Sequence, residues 1–455
     1  MCTKKIKSQT LSKLDRDTDE FFDLIKMSRE NRQYIYRVFE PLTVYLFSIE
    51  QLEVIKHALS QTNNGFIVLH LDATGSVVHS PPETKKRVYY YAGVVHIKDK
   101  ELVCPVFEMI TSEHDGYSIG SWLQAFESFI VKSKQLKWSI FSYVVTDFSF
   151  AFINAITTQW NKMDDISVYL NIVYDYITSE TTVRPKITLK LCCAHFMKLI
   201  TNDINKICGS NKTQKKFFKH SIAAVFMKTS LPEVEKWFKK MVLITSKEFL
   251  DLDGKLSNVI SKMFDTLNNS KDLEDIDEET ETETEDTEIP HTLYQKSKFY
   301  RHFFKICEQD KKMINSAIDS DNINIFYNPL ILDLILKKYL PILPLWSNIY
   351  PNLRDRDSIE RFSNAPVENW FCQVKNNILK TTGLRLRCTR FIRAVREVVL
   401  SKSKECALNI DKNQCAIIKK KRIQTKNIDL GLESEENWNK KIKSDKKKSY
   451  FEKTN

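Results

Sequence analysis

The chain is 455 residues long, which excludes a single small module and leaves room for two or three structural units. Apolar residues at 42% and aromatics at 11% are enough for a core and exclude wholesale disorder, while 9 glycines, about 2% against a usual 7% or so, argue against Gly-rich fibres and phosphate-cradling loops. The 69 basic and 58 acidic residues give +11, yet residues 272–288 alone hold 11 acids with no lysine or arginine, so the remainder carries +22, a balance suited to a polyanionic partner.

No apolar run reaches the 18 residues of a membrane span. The longest, Leu330–Leu345, is broken by Asp333, Lys337 and Lys338, and the start, Met1-Cys-Thr-Lys-Lys-Ile-Lys, has no signal-like apolar region. No membrane partner is expected. Neither a Walker pattern nor G-x-G-x-x-G is present, so no small-molecule substrate is expected either. The 10 cysteines are scattered and none forms a CxxC pair, which fits reduced thiols better than a disulfide scaffold or a zinc ribbon.

In chain order, residues 1–62 predict a helical N-terminal region, with apolar residues at helical spacing over Phe21–Met27 and Phe47–Leu59. After the turn at Asn63-Asn-Gly the pattern changes. Strands are predicted at Phe66–Leu71, Arg87–Ile97 and Leu102–Ile110, from β-branched and aromatic runs separated by polar turns. A helix over Ser118–Ser133, a strand over Trp138–Val145, a helix over Ser149–Trp160, a strand over Lys186–Cys192 and a helix over His195–Ile207 follow. That β-β-β-α-β-α-β-α order predicts an α/β (α+β) fold of RNase H-like type, a mixed sheet with flanking helices whose first part spans 63–207.

Residues 208–355 predict a large all-helical insertion, split by a disordered acidic loop at about 268–290. Residues 356–405 complete the core. One helix starts at Ser363/Asn364 before Ala-Pro, with asparagine as an N-cap, and runs to about Lys380; a basic helix follows it. Residues 406–455 read as a basic, flexible tail, and Lys419-Lys-Lys-Arg422 with Lys446–Lys448 resembles nuclear import signals, so the nucleus is the expected location.

Acidic residues carry the chemistry. Asp72 in Leu69-His-Leu-Asp-Ala-Thr-Gly and Asp147 in Tyr143-Val-Val-Thr-Asp each close an apolar strand, where a carboxylate is costly unless paired or bound to a cation. Adjacent strands would bring both to one spot, and hard oxygen ligands of this kind suit Mg²⁺ or Mn²⁺. Glu368, in the first turn of the helix after Asn364, supplies the third carboxylate of a two-metal phosphoryl-transfer site. Strand-end acids that merely cap the next helix are the bland alternative.

These residues resemble a known family. Asp72 in LDATG, Asp147 in VVTDFSFAFINAI, Cys192 and His195 in LCCAHFMKLI and Glu368 in NAPVENWFCQVK look like the DDE transposases of the Mutator-like (MULE) and hAT group, over roughly residues 65–380. The resemblance implies Mg²⁺-dependent DNA cleavage and strand transfer. It makes Asp72, Asp147 and Glu368 catalytic metal ligands, with Glu360 as a weaker substitute for the third. Double-stranded DNA, as transposon ends and target, and a second copy of the chain are the expected partners.

Cys192 and His195 offer two of the roughly four ligands that zinc needs, so a structural brace at the site's edge is favoured over zinc. Arg385, Arg387, Arg390, Arg393 and Arg396, the last three at i+3 spacing, with Lys375 seven residues after Glu368, read as contacts to DNA phosphates. Tyr89–Tyr91 and Trp370 could stack on bases but suit a core better. Two departures from the family matter. The first 60 residues carry only Cys2 and His57 as zinc-finger ligands, and no histidine follows His302. A truncated element, or a domesticated, catalytically inactive DNA- or protein-binding factor, is therefore the rival expectation. An RNase H-like nuclease acting on RNA or hybrids is a weaker one.

Overall fold

Seven strands form one sheet whose inner strands bury side chains on both faces. A computed structural model describes residues 20–61, 67–80, 86–251, 254–268, 295–314, 319–350, 362–380 and 385–407. The strands are β1 (Ile35–Phe39), β2 (Thr43–Leu46), β3 (Val68–Gly75), β4 (Tyr89–Ile97), β5 (Leu102–Thr111), β6 (Tyr143–Thr146) and β7 (Thr188–Leu191), in the spatial order β1-β2-β5-β4-β3-β6-β7. Neighbours from β1 to β3 pair antiparallel; β3–β6 and β6–β7 pair parallel. The segment β5-β4-β3-β6-β7 is the RNase H-like sheet, and the fold is mixed α/β as the element order implies.

The register explains the two cores. In β4, Tyr90, Ala92 and Val94 face one side and Tyr91 and Val95 the other. The bulge after Gly93 lets the Phe107 ring cross that position, where a Cβ would stand 2.2 Å from Phe107 Cε1. Helices α1 (Glu20–Glu30) and α2 (Ile49–Ser60) flank the sheet, and α3 (Gly116–Ser133) and α4 (Phe150–Ala155, continuing as a wider π turn to Trp160) cover the Tyr91 side. Helix α5 (Ile166–Ile177) lies between β6 and β7 in sequence, and its apolar run escaped the sequence reading.

The insertion runs through α6 (Cys193–Cys208), α7 (Lys212–Phe226), α8 (Leu231–Ser246), α9 (Lys255–Asn268), α10 (Lys298–Ile314), α11 (Pro329–Leu334) and α12 (Leu343–Trp346). It also contains a two-stranded ribbon, β8 (Phe249–Asp251) with β9 (Asp319–Ile323), so it is mainly rather than wholly helical. Helix α13 (Ala365–Gln373, widening into a π turn over Val374–Leu379) and α14 (Cys388–Ala407) cover the Tyr90 side.

The N-terminal region departs from its helical expectation. The hairpin β1–β2 extends the sheet beside β5: Thr43–Leu46 is wholly buried because it lies between β5 and the edge strand β1. The acidic loop, Glu360 and the tail beyond residue 407 lie outside the described residues. No helix among the described residues is long and apolar enough to cross a membrane.

Candidate active site

Four chain segments meet at one spot. β3 carries Asp72 opposite Ala92 of β4, so its side chain faces the α13 side. The strand does not stop at Asp72, as the apolar run suggested, but continues to Gly75. β6 ends at Thr146, one residue before Asp147. β7 ends at Leu191, and Cys192 caps α6, with its N–H donated to the Thr146 carbonyl (2.8 Å). The first turn of α6 then presents Cys192 and His195 three residues apart, on one face. Across from it, the Cys193 N–H donates to the Phe362 carbonyl (2.8 Å), bringing the start of α13 alongside.

The geometry centres on Asp147 and His195. His195 Nδ1 lies 2.9 Å from Asp147 Oδ1 and 3.6 Å from Glu368 Oε1. The first approach is a charge contact rather than an aligned hydrogen bond. Asp147 holds the imidazole pKa up at about 11, with help from the Cys192 sulfur, so His195 stays protonated at neutral pH. Burial, then Asp147, raises the Asp72 carboxyl well above the usual carboxylate range; Glu368 adds to this, while the Ala73 N–H (2.7 Å) and His195 oppose it. Asp147, Cys192 and His195 each offer one ligand atom, and these atoms lie within 4.8 Å of one another, a group able to hold a metal ion.

Asn364 ties the pieces together, in a task other than the N-cap expected of it. Its side chain makes no cap bond on α13. Instead Nδ2 donates to Asp147 Oδ1 (2.8 Å) and to the Leu71 carbonyl (3.3 Å), and its backbone N–H donates to Cys192 Sγ (3.3 Å). The residue is wholly buried and its Oδ1 has no partner among the described residues. The only local signal was an asparagine before Ala-Pro, which reads equally well as a cap. His70, two residues before Asp72, is also buried here; burial pushes its pKa down to about 4 and keeps it neutral, with Nδ1 unpartnered.

The basic residues spread out. Arg385 is exposed and reaches Ser76 Oγ (3.5 Å), just past the end of β3. Arg390, Arg393 and Lys375 are exposed. Arg387 is half-buried 3.9 Å from Glu20, and Arg396 is half-buried 3.6 Å from Glu397. Tyr90, Tyr91 and Trp370 are core residues, and Tyr89 stacks on His114.

Over 135 residues the chain is 32% identical to the "120.7 kDa protein in NOF-FB transposable element" of Drosophila melanogaster, a match that covers 29% of this chain and 12% of that protein. No family model matches the chain. The likeness supports a transposon-derived origin without distinguishing a Mutator-like from an hAT lineage.

Proposed function

We propose that the chain is a DDE-type transposase, or an enzyme derived from one, that cleaves and transfers DNA strands in the nucleus, with double-stranded DNA and a second copy of itself as partners. One observation carries the reading: carboxylates from β3, from the end of β6 and from the first turn of α13 gather round one imidazolium. Clustered acids in a partly buried setting raise one another's pKa unless positive charge is supplied. Their oxygens are hard donors that fit Mg²⁺ or Mn²⁺. Asp72, Asp147 and Glu368 would hold such ions, which would supply charge stabilisation for an in-line phosphoryl transfer.

The chain's own groups do the positioning. The Ala73 N–H fixes Asp72, Asn364 orients Asp147, and the α13 N-terminus presents Glu368. His195 sets its ring between two of the acids, Asp147 and Glu368. Arg385, Arg390, Arg393 and Lys375 offer exposed charge for the phosphates. A non-catalytic DNA-binding descendant is the second reading. It is favoured by His195 itself, whose ring stands within 2.9 Å of Asp147 and 3.6 Å of Glu368, among the carboxylates that would hold the ions.

The test is nicking of labelled duplex DNA beside a filter-binding salt titration. Asp72→Asn is expected to abolish Mg²⁺- or Mn²⁺-dependent cleavage, by about a thousandfold for roughly 4 kcal/mol of barrier, while sparing DNA affinity. Charge reversal at Arg390 and Arg393 is expected to weaken binding and flatten its salt dependence. Wild type that binds DNA but never cleaves gives the answer to the second reading. Asp72→Asn that cleaves as well as wild type removes the DDE assignment.

A further inference from the structure

We propose that Asp147, Cys192 and His195 form a binding site for a soft divalent ion of the zinc or cobalt class, distinct in ligand chemistry from the all-carboxylate set and sharing Asp147 with it. From the sequence, Cys192 and His195 were two ligands short of a zinc site. The fold adds a third donor from β6, and Glu368 Oε1, 3.6 Å from His195 Nδ1, stands in line for a fourth position. In a tetrahedral zinc site with bonds of about 2.0–2.3 Å, neighbouring donor atoms sit roughly 3.3–3.6 Å apart. The three donors here already lie within 4.8 Å of one another, so closing on an ion asks for side-chain rotations rather than backbone movement.

The surroundings carry the second argument. Cys192 Sγ accepts the Asn364 N–H (3.3 Å), and the same residue's Nδ2 donates to Asp147 Oδ1 (2.8 Å). One buried residue thus hydrogen-bonds two of the three ligands, Cys192 through its backbone N–H and Asp147 through its side-chain amide, the outer-shell pattern that orients metal donors and stabilises a thiolate. A brace made only for packing has no need of a sulfur acceptor and a carboxylate oriented by one residue. Thiolate and imidazole select zinc and cobalt over magnesium. The two ion classes would therefore compete for Asp147 rather than add. Zinc occupancy is expected to exclude the hard-ion arrangement.

Binding is read on the full-length, chelator-stripped chain, without DNA, so its outcome is separate from that of the cleavage assay. Titration with Co²⁺ is expected to give a thiolate-to-cobalt charge-transfer band and tetrahedral visible bands at one equivalent. Cys192→Ser should abolish the charge-transfer band, and His195→Asn should weaken affinity at least tenfold. Cys193→Ser and Asp72→Asn should leave the band in place. Circular dichroism of each variant checks the fold. Should Cys192→Ser not fold, zinc-edge absorption on wild type decides without any variant, with one sulfur at about 2.3 Å expected among nitrogen and oxygen neighbours. No charge-transfer band in wild type, a band that survives in folded Cys192→Ser, or a zinc shell of nitrogen and oxygen alone overturns the proposal. Loss of nicking with the band intact bears on the DDE reading alone.

Discussion

Asn364 is a neutral residue placed among charges, and its value lies in where its two donors point. It bridges Leu71 of β3 and Asp147 of β6 from the start of α13. Asn364→Ala would leave the Leu71 carbonyl and one Asp147 oxygen without this donor. The expected cost is roughly 1–3 kcal/mol, read as a lower urea midpoint, because a hydrogen bond to a charged acceptor in a buried setting is among the stronger ones. A midpoint unchanged within error would show that the amide only fills space. Asp72 and Asp147 were visible along the chain as acids set against apolar runs, although Asp72 lies inside β3 rather than at its end. The role of Asn364 was not, since its partners lie 217 and 293 positions away and leave no local pattern.

Helix α13 is held by a buried polar chain that begins on the sheet. Trp370 Nε1 donates to the Tyr90 hydroxyl (2.9 Å), Tyr90 and Tyr34 (2.7 Å) donate to Glu108, and Gln51 Nε2 adds a third bond to Glu108 (3.2 Å). Gln51 also closes the capping box of α2 with Ser48, so the same side chain fixes a helix start and a buried acid. Burial pushes Glu108 from the ordinary 4.5 up to about 7, although the three hydrogen bonds pull the other way. The folded chain therefore keeps this proton where the unfolded chain has lost it. The associated stability is fully present below about pH 4.5 and is lost as pH rises towards 7, by an amount on the order of 3 kcal/mol. Urea unfolding of wild type and Glu108→Gln across pH 4.5–8 should give a difference curve that slopes in this window and flattens above it. A flat difference curve would show that Glu108 ionises freely in the fold. The strands β3, β4 and β5 were readable from their β-branched and aromatic runs. The hairpin β1–β2 was not, because two strands of five and four residues carry too little alternation to stand against helical neighbours.

At the scale of the molecule, the sheet and the insertion are joined by a buried lysine whose partners, among the described residues, are backbone carbonyls. Lys190 Nζ donates to the carbonyls of Pro344 (2.9 Å), Ser347 (2.6 Å) and Tyr350, and lies over the Phe362 ring at 5.5 Å. Burial lowers its pKa to about 7. Sequence alone presents Lys190 as an ordinary alternating position of a strand, since nothing local tells that β7 is covered by the end of the insertion. Lys190→Met keeps the bulk and removes the donors. Hydrogen exchange of the segment 344–350 is expected to rise at least tenfold, about 1.4 kcal/mol, while that of β3–β5 stays as in wild type. Uniform acceleration throughout the sheet would instead make Lys190 part of the global core.

The bond from the Cys193 N–H to the Phe362 carbonyl makes the exit and the return of the insertion a single doorway. A gap that narrow can be spanned by a short connector or by a stretch of roughly 170 residues, and the closure entropies of the two differ by only about 2–3 kcal/mol. The core is thus a socket whose geometry is indifferent to the size of what is plugged into it. The doorway is also the site, because Cys192 and Asn364 are its two jambs. Anything that grips the plugged-in block and twists it acts on both jambs at once.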